Sequence, residues 1–211
     1  MNSRLSIQKR LILPILLLGI VAFLSNILSV YHIQHVNANA AQIVDDQMAG
    51  AAKLAEIRYS LLNIHKMALS HIVASDYETM ISVVDQIKEE EKELDEDLKS
   101  YENYVAGEEA AVYKELKKNY SEFKHSLIRL VCASANSKTE EAYACANDEV
   151  AVYGAEAEKN ITKLVNGIDG RTAAARQKLT DVYVTSIVIS VVTVAAGLVL
   201  VIAAISVILK Y

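Results

Sequence analysis

Two stretches of the chain carry no charge. Residues 11–33 read LILPILLLGIVAFLSNILSVYHI, 23 positions, and residues 182–209 add a second uncharged run of 28. A helix crosses a bilayer in about 20 apolar residues, so each run predicts a transmembrane helix and excludes a purely soluble globular domain. Between the runs there is no proline and almost no apolar/polar alternation, which leaves helices rather than strands. Breaks at ASDYE (74–78), AGEE (106–109) and SANSKTEE (134–141) predict four helices over 34–74, 76–105, 108–134 and 138–181. Ser75 with Glu78 and Ser137 with Glu140 each fit the S-x-x-E capping box, which satisfies free amides at a helix start.

Short connections make neighbouring helices antiparallel. The expected fold is all-α: an antiparallel up-down-up-down four-helix bundle flanked by two transmembrane helices. The chain then divides into a tail (1–10), a first span (11–33), a bundle (34–181), a second span (182–209) and a short end (210–211). Arg4, Lys9, Arg10 and an ANA triplet at 38–40 mimic a signal peptide. The apolar run exceeds the usual about 7–15 residues, and the triplet lies too far beyond it, so the span is read as uncleaved. Tyr31, Tyr183 and Tyr211 suit the membrane interfaces. Basic residues lie before both spans: Arg4, Lys9 and Arg10 before the first, Lys163, Arg171, Arg176 and Lys178 before the second, with only Lys210 after it. Long loops cross largely regardless of charge, so the short basic tail decides. Both termini are expected in the cytoplasm and the bundle outside, anchored in the cell (inner) membrane.

The third helix carries a stripe at Val112, Leu116, Tyr120, Phe123, Leu127 and Leu130; the fourth carries one at Tyr143, Ala146, Val150, Tyr153, Ala157, Ile161, Leu164 and Ile168. Both have bundle-core spacing. In the acidic run KEEEKELDEDLK (88–99), Leu94 and Leu98 join Ile87 on one side, which fits a solvated face with helix-supporting ion pairs better than a cation site. The first helix has two stripes. One runs Gly50, Leu54, Ile57, Leu61, Ile64, Ala68, His71; the other runs Met48, Ala51, Ala55, Arg58, Leu62, His65, Leu69, Ile72; Lys53, Glu56, Tyr59, Ser60, Asn63, Lys66 and Ser70 form the remaining, mostly polar face. Two seams can serve the bundle and a partner molecule at once, and a single wide core-facing stripe gives the same pattern. On the two-seam reading, Met48, Ala51, Ala55, Leu62, Leu69 and Ile72 form a parallel homodimer interface.

With Arg4, Lys9, Arg10 and Lys210 outside it, the bundle region holds 17 of the 21 Lys and Arg and all 26 Asp and Glu, a net charge of −9. That charge excludes a nucleic-acid partner. His65 and His71 are six residues apart, roughly 120° around a helix, so they cannot chelate one ion. A di-iron bundle needs Glu-x-x-His twice, and only EFKH (122–125) occurs; nothing marks a paired haem ligand. No metal or cofactor is expected. Cys132 and Cys145 flank the 134–141 break about one helical turn out of register, which allows a bridge in an oxidising exterior and equally two separate small buried residues. Neither a hydrolase, metalloprotease nor nucleotide motif occurs, and neither span contains a charge of the kind transport paths use. An enzyme is not expected. A small-molecule site is expected at Arg58 and His65, helped by Tyr143 and Asn147. Arg58 interrupts an apolar stripe, where a partly desolvated guanidinium can grip a carboxylate or instead pair with a neighbouring Glu.

This layout, with DDQMAGAAKLAEIRYSLLNIHKMALSHIVAS in the first helix and RTAAARQKLTDVYV entering the second span, resembles the N-terminal sensor module of bacterial methyl-accepting chemotaxis proteins, of the four-helix-bundle type. The resemblance implies a homodimeric receptor that binds a small-molecule or protein ligand outside the cell. Its fourth helix would then shift slightly to bias a cytoplasmic output. Such receptors continue into a HAMP linker and a signalling coiled coil, whereas this sequence stops at Lys210 and Tyr211, as a receptor fragment or a stand-alone module would. The same front end also precedes histidine kinases and diguanylate cyclases. A membrane-anchored helical adaptor is the competing reading.

Overall fold

The computed structural model describes residues 7–209, and all regular structure among them is helical. Arg4, Lys210 and Tyr211, which carry part of the orientation argument, lie outside the described residues. The elements are α1 (Ile7–Gln42), a π-helical segment (Ile43–Met48), α2 (Ala49–Val73), α3 (Tyr77–Tyr101), two 3-10 turns (Glu102–Tyr104 and Gly107–Glu109), α4 (Ala110–Ala135), α5 (Thr139–Cys145), a second π segment (Ala146–Val150) and α6 (Ala151–Leu209). The three expected breaks appear at 74–76, 102–109 and 136–138. The two π segments interrupt what the periodicity draws as single helices. Both hold paired acidic residues, Asp45 with Asp46 and Asp148 with Glu149.

The helix starts differ from the capping boxes read from sequence. Asp76, one residue past Ser75, caps α3: its Oδ1 accepts from the Thr79 amide at 2.8 Å. A carboxylate competes better than a hydroxyl for amides at the positive end of a helix. Ser137 adopts a left-handed conformation (φ 59°). There it closes α4, with the Lys138 amide donating to the Ala133 carbonyl at 3.0 Å, the six-to-one bond of a Schellman stop. Ser137 ends one helix instead of starting the next.

Residues 44–173 form one compact unit, the bundle. Its core contains the first stripe of α2 (Leu54, Ile57, Leu61, Ile64, Ala68), with Ile87, Leu94 and Leu98 of α3, Leu116, Tyr120, Phe123, Leu127 and Leu130 of α4, and Ala157, Ile161, Leu164 and Ile168 of α6. The acidic run of α3 thus keeps its apolar residues inside. Side-chain pairs set the helix register: Lys53 meets Asp97 at 2.9 Å and Asn63 meets Glu90 at 2.7 Å. Residue numbers rise on α2 as they fall on α3, and Lys117–Glu102 and Lys124–Asp95 follow the same rule between α3 and α4. Three positions depart from the expected stripes. Tyr113 replaces Val112 in the core, because its hydroxyl reaches the Leu98 carbonyl at 2.6 Å. Ala142 replaces Tyr143, whose ring stands in solvent. Ser60, assigned to the polar face, is buried. The cysteines are free: Cys145 donates its thiol to the Ser126 carbonyl at 3.3 Å, and Cys132 faces solvent.

His71 is buried and bridges to α4. Ser134 Oγ donates to the His71 carbonyl at 3.2 Å, so at 2.9 Å it accepts from the imidazole Nδ1–H. That histidine is a satisfied core residue.

The second unit comprises residues 1–43 and 174–211. Its helices are long and apolar enough to cross a membrane, the first over Ile15–Ala38 and the second within the helical run that ends in α6. The side chains of Ser25, Ser29, His32, Ser186, Ser190 and Thr193 line a cleft between them. Ser186 and Thr193 also return their hydroxyls to the Val182 and Ile189 carbonyls at 2.7 and 2.8 Å, which limits the cost of placing them in an apolar helix.

Candidate functional site

Seven residues separate Arg58 from His65 on α2, so they share a face. Opposite them α6 presents Glu158, Thr162, Gly154 and Ala151. Arg58 Nε lies 2.8 Å from Glu158 Oε1, an ion pair without hydrogen-bond alignment, and Arg58 Nη2 donates to Thr162 Oγ1 at 3.1 Å. Glu158 Oε2 is buried and has no hydrogen-bond partner among the described residues. Both side chains of the pair remain about one-third exposed; exposed pairs contribute up to about 1 kcal/mol, so this one matters more for placement than for stability.

Beside the pair is a cavity of about 200 Å³. Leu61, Leu62 and His65 of α2, Phe123 of α4, and Ala151, Gly154, Ala155 and Glu158 line it. The buried Phe123 ring meets the His65 imidazole edge-on, with centroids 6.4 Å apart. A β-carbon at Gly154 would stand 3.4 Å from the Phe123 ring, ordinary contact, so glycine there leaves free space instead of relieving a clash. Burial holds the His65 imidazole below its ordinary value of 6.5. At neutral pH it is an uncharged group that can donate and accept.

His65 lines this cavity and Arg58 stands beside it through its pair with Glu158; neither Tyr143 nor Asn147 lines it. Tyr143 precedes Glu158 by 15 residues, about 22 Å at 1.5 Å per residue, and both Tyr143 and Asn147 are solvent-exposed. Asn147 lies four residues, about one turn, before the cavity-lining Ala151, with its side chain in solvent. Glu158, Thr162 and Phe123 are the site residues that the sequence reading missed. Glu158 carried a faint signal, a carboxylate directly beside the Ala157 and Ile161 stripe.

The second α2 seam divides by exposure. Met48, Ala55, Leu62 and Leu69, each seven residues from the next, are exposed. Ala51 is half-buried against the core, and Ile72 is inside it. Ile72 therefore belongs to the bundle's own packing. Among the described residues, no cluster of three or more His, Cys, Asp or Glu is arranged to hold a metal ion.

Comparison with known proteins gives a match over residues 4–169 to a family described as a four-helix-bundle sensory module for signal transduction. No curated protein matches the chain.

Proposed function

Because this chain belongs to the four-helix-bundle sensory modules of signal transduction, we propose that it is the sensor part of a chemotaxis-type receptor. It binds a small molecule outside the cell and passes a helix displacement inward. On this reading the helices of the second unit span the membrane with both termini in the cytoplasm, the bundle is antiparallel up-down-up-down, and the module itself is not catalytic. Two copies associate through Met48, Ala55, Leu62 and Leu69.

One observation supports the site: the cavity beside His65 has α2 for one wall and α6 for another, with Arg58, Glu158 and Thr162 tying the two together. A ligand there touches both helices. Signalling then needs only unequal affinity for two relative positions of α2 and α6, and shifts of about 1–2 Å between packed helices are ordinary. The α6 helix is continuous from Ala151 to Leu209, so a displacement at Glu158 has no break in helical structure to absorb it.

The test is a thermal-melt screen of the full chain in detergent, read by helical circular dichroism, against Ala151→Leu, whose larger side chain fills the cavity. A true ligand at 100 times its Kd stabilises by about 2.7 kcal/mol. Compounds that raise the wild-type midpoint and leave Ala151→Leu unmoved support the site. If every stabilising compound acts equally on both, the cavity is not where ligands bind.

A further inference from the structure

Resting on the cavity reading above, we propose that the ligand held at His65 is uncharged: a ring or branched apolar body that carries one hydroxyl or similar hydrogen-bonding group. Glu158 is the one ionised side chain among the described lining residues, and it is already neutralised, with Arg58 Nε 2.8 Å from its Oε1. The pair favours neither sign of charge in a ligand. Arg58 Nε and Glu158 Oε2 are both buried without a hydrogen-bond partner among the described residues, one unmet donor and one unmet acceptor, and neither presents surface to the cavity. A cation or an anion would therefore give up its hydration with no uncommitted counter-charge to meet it. An unpaired buried ion costs far more than an unpaired hydroxyl.

His65 is the group left to meet a polar atom of the ligand. Its side chain is half-buried at the cavity, and neither ring nitrogen makes a hydrogen bond or ion pair among the described residues. Neither nitrogen is sealed as Arg58 Nε is. Burial holds the imidazole below its ordinary value, so near neutral pH it offers one donor, one acceptor and no charge. A hydroxyl can serve either. The other walls are apolar: Leu62 and Ala155 are exposed, Ala151 and Gly154 half-buried, with Leu61 and Phe123 buried behind them. A dry cavity of about 150 Å³ accommodates benzene; this one, at about 200 Å³, has room for one ring and a small substituent.

Toluene, benzyl alcohol, benzylamine and benzoate share one ring and differ in the group it carries, so they separate these demands. Their binding to the full chain in detergent is measured by calorimetry at pH 7.5, at known free aqueous concentrations and with protein-free micelles as the blank, for wild type, His65→Phe and Ala151→Leu. Benzyl alcohol is expected to bind wild type at least tenfold more tightly than benzylamine or benzoate. Over toluene its advantage should be about three- to tenfold, the net worth of one hydrogen bond. His65→Phe should bring benzyl alcohol down to the level of toluene while toluene still binds, which shows that the variant keeps its fold and cavity. Ala151→Leu should bind none of them. Should a variant fail to fold, the wild-type order alone decides. Benzylamine or benzoate equalling benzyl alcohol, with binding lost in Ala151→Leu, overturns the preference for an uncharged ligand and leaves the site standing. Toluene equalling benzyl alcohol in wild type, or an alcohol advantage that survives in His65→Phe, overturns the hydrogen bond to His65. Absence of binding by all four, or binding undiminished in Ala151→Leu, overturns the site and the preference with it.

Discussion

Glu109 and Arg171 form an ion pair directly over Gly167: a β-carbon at position 167 would overlap the Glu109 carboxylate. Glu109 sits in the turn before α4 and also accepts from the Ala106 amide at 3.3 Å, so the pair ties that turn to α6. Glu109 is buried while Arg171 keeps 26% of its side chain in solvent. Breaking a fully buried pair costs about 3–5 kcal/mol. With one partner partly solvated, Arg171→Met is expected to cost about 1–3 kcal/mol. Gly167→Ala should also destabilise wild type, by displacing the carboxylate. In the Arg171→Met background the same substitution should turn neutral or favourable, because the pair is gone and alanine is the better helix former by about 1 kcal/mol. Thermal melts of the two single variants and the double variant measure this coupling.

The buried histidines make stability depend on pH. Desolvation lowers the values of both His65 and His71 below 6.5, so near pH 6 the unfolded chain binds more protons than the folded one. Their contribution is complete above pH 6.5 and is lost as pH falls toward their folded values, at a slope of at most about 1.4 kcal/mol per pH unit for each group. Denaturation midpoints at pH 7.5 and 5.5 should therefore differ, with the lower pH less stable. His71→Asn, which retains a donor toward Ser134, should narrow the difference.

Exposure on α2 predicts which positions can meet in a dimer. In a chain with both native cysteines replaced by serine, single cysteines at Ala55 and Leu62 should form disulfide-linked dimers on mild oxidation in membranes. In a parallel two-fold pair each faces its own copy. Lys66→Cys, exposed on another face, and Ile72→Cys, in the bundle core, should give few. Equal yields at all four positions, or none at Ala55 and Leu62, would remove the seam as an interface.

The first α2 stripe, the α3 core under its acidic run and the three breaks were all legible in sequence, because each rests on simple periodicity and turn residues. What periodicity could not show was the pair of π segments. One extra residue per turn rotates everything beyond it, and no apolar pattern marks where the turn falls. Periodicity therefore draws Tyr143 into a core position that Ala142 occupies, and about 22 Å of helix separates Tyr143 from Glu158, the partner of Arg58. Ser60 was misplaced for another reason: its small hydroxyl suits a core position as well as a polar face. Arg58 and His65 stand out in the sequence because each is polar in an apolar row. The groups that define their chemistry, Glu158 and Thr162, lie more than 90 positions away in the chain, and only the fold brings them together.

Displacement of α6 against α2 by a ligand at the His65 cavity is the central claim, and an inter-label distance tests it most directly. Spin labels at Glu56→Cys on α2 and Lys163→Cys on α6, both exposed positions, are placed in a chain whose native cysteines are serine. The chain is reconstituted in bilayers diluted with unlabelled protein, and pulsed dipolar spectroscopy is recorded with and without a saturating compound that raises the wild-type melting midpoint and leaves Ala151→Leu unmoved. The mean distance is expected to change by about 1–2 Å and to stay fixed when Ala151→Leu is present. An unchanged distance at a concentration that stabilises wild type in the melt, or the same change in Ala151→Leu, would contradict the account.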